Sequence, residues 1–234
     1  EILRIRQANL LPSVTHYYRK PIHIKKASMQ WVWDTEDNRY LDAFGGIVTI
    51  SAGHNHPRIK KRLQAWLDED GPQHTTVFYL STPITELATR LTALTPDGLK
   101  RAFFTNSGSE ANELAILLAR QYTKRYEIVA LKHCYHGGTT GTISLVGQHT
   151  WKWGGPGLPG VVHAAQPNCY RCPWGAQAGS CAIECAGDVE ETIKTSTTGE
   201  IAAMIVEPIQ GVGGFIVPPK EYFQKIHATV KKYG

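Results

Sequence analysis

The run FFTNSGSEANELAILLAR, residues 103–120, decides how the rest of the chain is read. Ala102 to Thr105 is apolar and aromatic, which predicts a short buried strand. Asn106-Ser107-Gly108 then turns the chain into a helix, with Ser107 as N-cap and Glu110 placed to complete a capping box. Ala111, Leu114, Ala115, Leu118 and Tyr122 recur at helical spacing and predict the face that packs on a core. Strand, small-residue turn and helix start together leave free amide N–H groups with the helix dipole behind them. That arrangement suits an anion, phosphate above all. Gly108 lets the backbone approach the anion, and the hydroxyls of Ser107 and Ser109 add hydrogen-bonding capacity. An ordinary capped helix after a strand reads the same way up to this point.

Two other stretches narrow the choice. Residues 127–132 (EIVALK) predict a second strand, running into His133-Cys134-Tyr135-His136-Gly137-Gly138. Residues 201–206 (IAAMIV) predict a third, running into Glu207-Pro208-Ile209-Gln210-Gly211. In an open parallel sheet, ligands bind beyond the carboxyl ends of the strands. An anion cradle, an aromatic with a histidine and a carboxylate then converge on one crevice. A phosphorylated, ring-bearing cofactor needs that set of groups.

NSGSEANE at 106–113, CYHGG at 134–138, VEPIQG at 206–211 and DAFGGIVTISAGHNHP at 42–57 stand in an order that resembles the class III pyridoxal-phosphate aminotransferases, most closely their alanine–glyoxylate branch. The resemblance covers nearly the whole chain. It implies an α/β chain with the aspartate-aminotransferase-like PLP-transferase fold: residues 1–56 an amino-terminal segment of the small domain, residues 57–234 an incomplete large domain built on a mainly parallel sheet. It implies pyridoxal 5'-phosphate as cofactor, held by Ser107, Gly108 and Ser109 at the phosphate. Tyr135 would stack on the ring, His136 would support its loop, and Glu207 would lie beside the cofactor. A packed tyrosine and a capping or ion-paired glutamate are the plain alternatives for the last two.

The implied reaction moves an amino group from alanine or a similar donor to glyoxylate or another 2-oxo acid. A γ-aminobutyrate or β-amino acid aminotransferase, a lyase or racemase on the same scaffold, and a non-catalytic phosphate-binding fragment stay open beside it. Ile47 and Val212 stand where ornithine-type and ω-amino enzymes of the family carry a tyrosine and a glutamate, which argues against ornithine and marks Ile47 as a substrate-pocket position. The family's ring-nitrogen aspartate and Schiff-base lysine have no counterpart before Gly234, and Lys132 does not sit in the lysine motif. This chain is therefore expected to be the first part of a longer enzyme, carrying no catalytic residue of its own. The resemblance further implies a homodimer with sites at the subunit boundary. The apolar run Val77 to Leu80 and the stretch from Trp151 to Gly160 suit such a boundary, although four large apolar residues also make a buried strand.

Composition sets the outer bounds. At 42% hydrophobic and 19% charged the chain can bury a core, while a net charge of +5 without a basic block gives no reason to expect nucleic acid. No apolar stretch reaches membrane-spanning length, so a soluble protein of the cytoplasm or mitochondrial matrix is expected, with any removed targeting segment invisible. Residues 1–28 read as mixed, residues 29–44 as a β-hairpin turning over Asp34–Arg39. Pro57 opens a helix to about Asp70 with Ile59, Leu63, Trp66 and Leu67 on one face, and a second helix spans Ile84 to Leu94. Residues 151–160 are too glycine-rich for regular structure, and helices are expected over 188–194 and 218–233.

His54 and His56 share a face, but without a carboxylate or cysteine nearby they read as a loop rather than a metal pair. Cys169, Cys172, Cys181 and Cys185 are spaced C-x2-C-x8-C-x3-C, which leaves free thiols, a thiolate metal site and disulfides all open. Cys134 reads as a small buried residue.

Overall fold

The computed structural model describes residues 1–14, 16–155, 157–177 and 179–234, so position 156 of the glycine-rich stretch lies outside it. The chain divides into two compact units, Glu1–Leu87 and Ala88–Gly234.

In the first unit, helix α1 (Ile2–Asn9) precedes a three-stranded antiparallel sheet of β1 (Ile24–Ser28), β2 (Trp31–Asp34) and β3 (Arg39–Leu41). The predicted hairpin is β2–β3, with Trp31 opposite Leu41 and Trp33 opposite Arg39. Its turn is built on Asp34, whose carboxylate accepts from Glu36 N, Asn38 N, Asn38 Nδ2 and the Tyr40 hydroxyl at 2.8–3.0 Å. Burial pushes that carboxyl up, yet the hydrogen bonds from Asn38, Tyr40 and Glu36 outweigh it and hold it down to about 2. β1 escaped the sequence reading because IKKAS carries two lysines on an edge strand, and α1 because its apolar residues bury nothing.

The turn α2 (Gly45–Val48) follows, with Gly46 and Ile47 at φ 60 and 61. A β-branched side chain rarely adopts that left-handed backbone, so Ile47 is held there by its surroundings, including the Asp42 carboxylate that accepts from Gly45 N at 2.8 Å. Asp42 also bonds His54 Nε2 at 2.8 Å. The carboxylate missing from the sequence reading of the histidine pair is thus supplied from twelve residues upstream, and it makes a hydrogen bond to one of the two rings. His56 stands at the N-cap position of α3 (Pro57–Asp68) without a side-chain cap bond, and the boundary between the units falls within α4 (Thr82–Thr92); the predicted apolar face of α3 is exposed at Ile59, Leu63 and Leu67.

In the second unit α5 (Gly108–Thr123) leads to β4 (Glu127–Leu131), then α6 (Thr140–Leu145), a 3₁₀ turn at His149–Trp151, β5 (Val161–Ala164), α7 (Glu184–Ser196), β6 (Ile201–Met204) and α8 (Tyr222–Tyr233). β4 is the middle strand of a parallel sheet in the order β5-β4-β6, pairing Ile128 with Val161 on one side and with Ala203 on the other. Buried on both faces, it reads as the continuous apolar run that parallel sheets require. α5 and α8 pack on β6, and α7 on β5 and α8, enclosing Ile116, Ile128, Val129, Leu131, Val189, Ile193, Ile201 and Tyr222.

Two expectations need correction. Ala102–Thr105 is not a strand: β5 and β6 already flank β4, no described strand lies beside the run, and Phe103 is 77% exposed. An extended segment without a ladder partner keeps no strand hydrogen bonds. On α5 the buried stripe is Ile116 with the partly buried Asn112, Ala119 and Thr123, whereas Leu118 and Tyr122 are exposed. The helix carries two apolar stripes, and β6 covers the one centred on Ile116. β5 was missed because VVHA follows the glycine-rich stretch with only four residues of signal.

Candidate active site

Two of the parallel strands, β4 and β6, deliver loops to the same end of their sheet, and the first turns of α5 are bonded to the loop after β4. At α5, the Ser107 hydroxyl oxygen accepts from Glu110 N at 3.2 Å, capping the helix as expected. The Glu110 carboxylate reaches back one residue further than a capping box needs, to Asn106 N at 2.8 Å. The first amides of a helix have no intrahelical acceptor, and a side chain built on Gly108 meets nothing within 4 Å. The place a Gly108 side chain would take is therefore open.

After β4, His133 takes a left-handed turn at φ 63 and the next four residues are fixed one by one. The Cys134 thiol, fully buried, donates to Leu145 O at 2.9 Å, and burial pushes it up to about 12. Cys134 is thus the inert packing residue the sequence suggested. Tyr135 keeps its ring partly exposed, edge-on to Trp151 with centroids 5.8 Å apart. His136 is 6% exposed, and burial, helped by His163, lowers its imidazole to about 4. The ring is neutral at pH 7, and its Nε2 has no hydrogen-bond partner among the described residues. Gly137 sits at φ 132, where an added Cβ would lie 2.5 Å from Ser109 Oγ. Only glycine permits this approach of the loop to α5.

After β6, Glu207 is shared between two loops: one oxygen accepts from Tyr135 N and the other from Gly211 N, each at 3.1 Å. Gln210, fully buried, donates from Nε2 to Lys132 O at 3.1 Å and so ties the same loop to the end of β4. α5 reaches the Tyr135 loop through Ser109, whose hydroxyl oxygen accepts from Gly138 N at 3.2 Å, and Asn112, whose Nδ2 donates to His136 O at 2.8 Å. Ser109, Tyr135, His136 and Glu207 are therefore joined through one set of hydrogen bonds, with Ser107 and Gly108 beside them at the start of α5. Asn112, Glu113 and Gln210 went unread; the signal was the polar row 109, 112 and 113 at helical i, i+3, i+4 spacing. Ile47 lies in the other unit and is exposed.

The four cysteines are all free thiols lining one recess with Gln166, Pro173 and Trp174. Burial, then neighbouring thiols, pushes Cys185 up to about 11, and Cys169 is raised for the same reasons. Among the described residues no three His, Cys, Asp or Glu side chains are arranged to hold a metal ion, and no helix is long and apolar enough to cross a membrane.

The family model for class III aminotransferases matches residues 14–234. An alanine–glyoxylate aminotransferase 2 homologue from Arabidopsis thaliana is 40% identical over 233 residues, covering 100% of this chain and 47% of that protein. A leucine/methionine racemase from Thermococcus litoralis is 33% identical over 238 residues, covering 98% of this chain and 51% of that protein. The crystal structure of an (S)-enantioselective omega-transaminase from Thermomicrobium roseum superposes with a TM-score of 0.86 at 32% identity, covering 100% of this chain and 54% of that one. The chain thus spans about half the length of the curated relatives it matches.

Proposed function

The chain belongs to the class III aminotransferases, and from that premise we propose that the whole protein is a pyridoxal-phosphate transaminase moving an amino group from alanine or a similar donor to glyoxylate or another 2-oxo acid. The observation that carries this reading is the joining of the α5 amino terminus, the Tyr135 loop and Glu207 by direct hydrogen bonds at one end of the parallel sheet. The residues fit the cofactor. The space in front of Gly108 admits a phosphate, and the amides of α5 with the Ser107 and Ser109 hydroxyls supply donors for it. The partly exposed Tyr135 ring, steadied by Trp151, offers a flat apolar face to an aromatic ligand.

Pyridoxal phosphate, when bound, supplies an electron sink for the bond electrons released at the substrate carbon. Each residue then has a task of its own. Ser107, Gly108 and Ser109 hold the dianion, and Tyr135 covers one ring face. Glu207 keeps the Tyr135 backbone in place, and neutral His136 supports the loop without moving a proton. Ile47 is carried as a substrate-pocket position by the family resemblance alone. Residues 1–56 form part of the small domain and 57–234 part of the large one. The assembly is a homodimer, located in the cytoplasm or mitochondrial matrix, with small amino acids and 2-oxo acids as its partners.

The similarity to a leucine/methionine racemase favours a second reading on the same site, inversion of an amino acid's α-carbon. Incubating the whole protein with the cofactor, L-alanine and glyoxylate separates the two. Transamination yields pyruvate and glycine and stops without the 2-oxo acid, whereas racemisation proceeds without it. Protein that binds no cofactor and shows neither reaction overturns the proposal. Gly108→Val tests the cradle itself: cofactor affinity should fall about tenfold to a hundredfold, the worth of one charge-assisted hydrogen bond, while the helix keeps its stability. Unchanged affinity would leave Gly108 as a helix start and nothing more.

A further inference from the structure

One helical turn inside α5, Glu113 makes a set of contacts that holding a phosphate does not require. A single carboxylate oxygen accepts from the Thr139 hydroxyl at 2.6 Å, from Gly141 N at 2.8 Å and from Thr142 N at 3.3 Å. These partners lie just past Tyr135-His136-Gly137, where that loop turns into α6. The carboxylate is so close that a Cβ on Gly141 would stand 2.3 Å from Glu113 Oε2 and 2.8 Å from Oε1. Gly141 has an ordinary right-handed backbone within a helix, where alanine is normally the better residue. Its nearest obstacles are all atoms of Glu113, so glycine there answers to the carboxylate and not to the turn.

Ser109, Asn112 and Glu113 lie on one side of α5 and hold separate points of one stretch between them: Gly138 N, His136 O, and Thr139 with Gly141 and Thr142. Ser109 and Asn112 each hold it by one neutral hydrogen bond. Glu113 holds it by several that involve a carboxylate, and bonds of that kind are about twice as strong. We propose that Glu113 is a positioning residue, which fixes the distance between the anion cradle at the start of α5 and the ring of Tyr135, so that one rigid cofactor meets both at once. The inference rests on the pyridoxal-phosphate reading of the site, and it names what sets the spacing within it.

Two measurements on the whole protein test it. The first needs no cofactor. Gly141→Ala should lower the melting temperature by about 3 °C or more in the parent protein, and should be neutral or stabilising in a Glu113→Ala background, where the obstructing atoms are gone. Equal losses in both backgrounds overturn the proposed contact whatever ligand the site takes. In the second, pyridoxal phosphate is titrated and the visible circular dichroism of the bound fraction recorded, since that signal reports how asymmetrically the ring is held. Glu113→Ala should weaken binding about tenfold to a hundredfold and reduce the signal per bound cofactor. Glu113→Gln, which keeps an acceptor oxygen, should recover most of both. A purely structural role would lower the melting temperature and leave the signal per bound cofactor unchanged, and that result overturns the proposal. If Glu113→Ala does not fold, Gly141→Ala carries the titration in its place, with the same expected loss. Parent protein that binds no pyridoxal phosphate fails the functional reading, while the melting cycle still decides whether Glu113 holds the loop.

Discussion

The two units keep their order by opposite means. Every buried hydrophobic residue among those described lies in Ala88–Gly234, gathered around β4. In Glu1–Leu87 the one buried residue among those described is charged, Asp34, and the hairpin around it is dressed with cations: Lys26 over the Trp33 ring at 4.8 Å and Arg39 over Trp31 at 4.4 Å. Val77, Phe78, Tyr79 and Leu80 stand almost fully open nearby in sequence. One unit is held by area removed from water, which is long-ranged along the chain. The other is held by turn chemistry, which is local and leaves its apolar side chains uncovered.

The contrast can be broken at four places, in falling order of effect. Leu131, 1% exposed in β4, should cost about 2–5 kcal/mol when cut to alanine, read by denaturant unfolding. A loss under about 1 kcal/mol would mean that the core is not centred on β4. Second comes acid. His136 is lowered to about 4 in the folded chain, so its proton binds the unfolded state more readily. Stability should be whole above about pH 6.5 and fall towards pH 4 by at most roughly 3 kcal/mol, at about 1.4 kcal/mol per pH unit. His136→Asn should flatten that part of the profile, and an unchanged slope assigns it to another group. Third, Asp34 is held down to about 2, so its contribution is present above about pH 4 and disappears only as pH falls through 2. Asp34→Asn should speed hydrogen exchange in β2 and β3 and leave β4 protected; loss of protection in both would couple the units. Last, Leu80→Ser should change stability by no more than about 0.5 kcal/mol in the chain of residues 1–234, since the side chain is 103% exposed. A larger loss would show that something covers it.

The same contrast explains what was legible in the sequence. EIVALK and IAAMIV announced β4 and β6 because strands buried on both faces must be apolar throughout. The β2–β3 hairpin was legible from its alternation and its Asp34–Arg39 turn. The candidate site residues came from the family's motifs, since a glycine turn, an aromatic-histidine loop and a strand-end glutamate each carry a chemical demand. Three things were not. Which stripe of α5 is buried depends on where β6 lies, and two apolar stripes offered the choice. Whether Ala102–Thr105 forms a strand depends on a neighbour to pair with, which no local pattern supplies. The Asp42–His54 pair and the Glu113 clamp join residues 12 and 26–29 apart, and nothing in the spacing of either partner points to the other.

β4 occupies the centre of its sheet, yet it is the first of the three strands to be made. Its neighbour β5 begins thirty residues after β4 ends, and β6 arrives only after α7. On a growing chain, β4 waits with both edges unpaired until β5 emerges, and with one edge unpaired until β6 does. Glu207, which anchors the Tyr135 backbone, emerges later still. Closing such distant pairs is slow, because chain entropy is lost before the contacts form. The loops that carry Tyr135 and Glu207 are thus among the last parts of this chain to settle, and β4 is the segment most in need of protection from stray strands until they do.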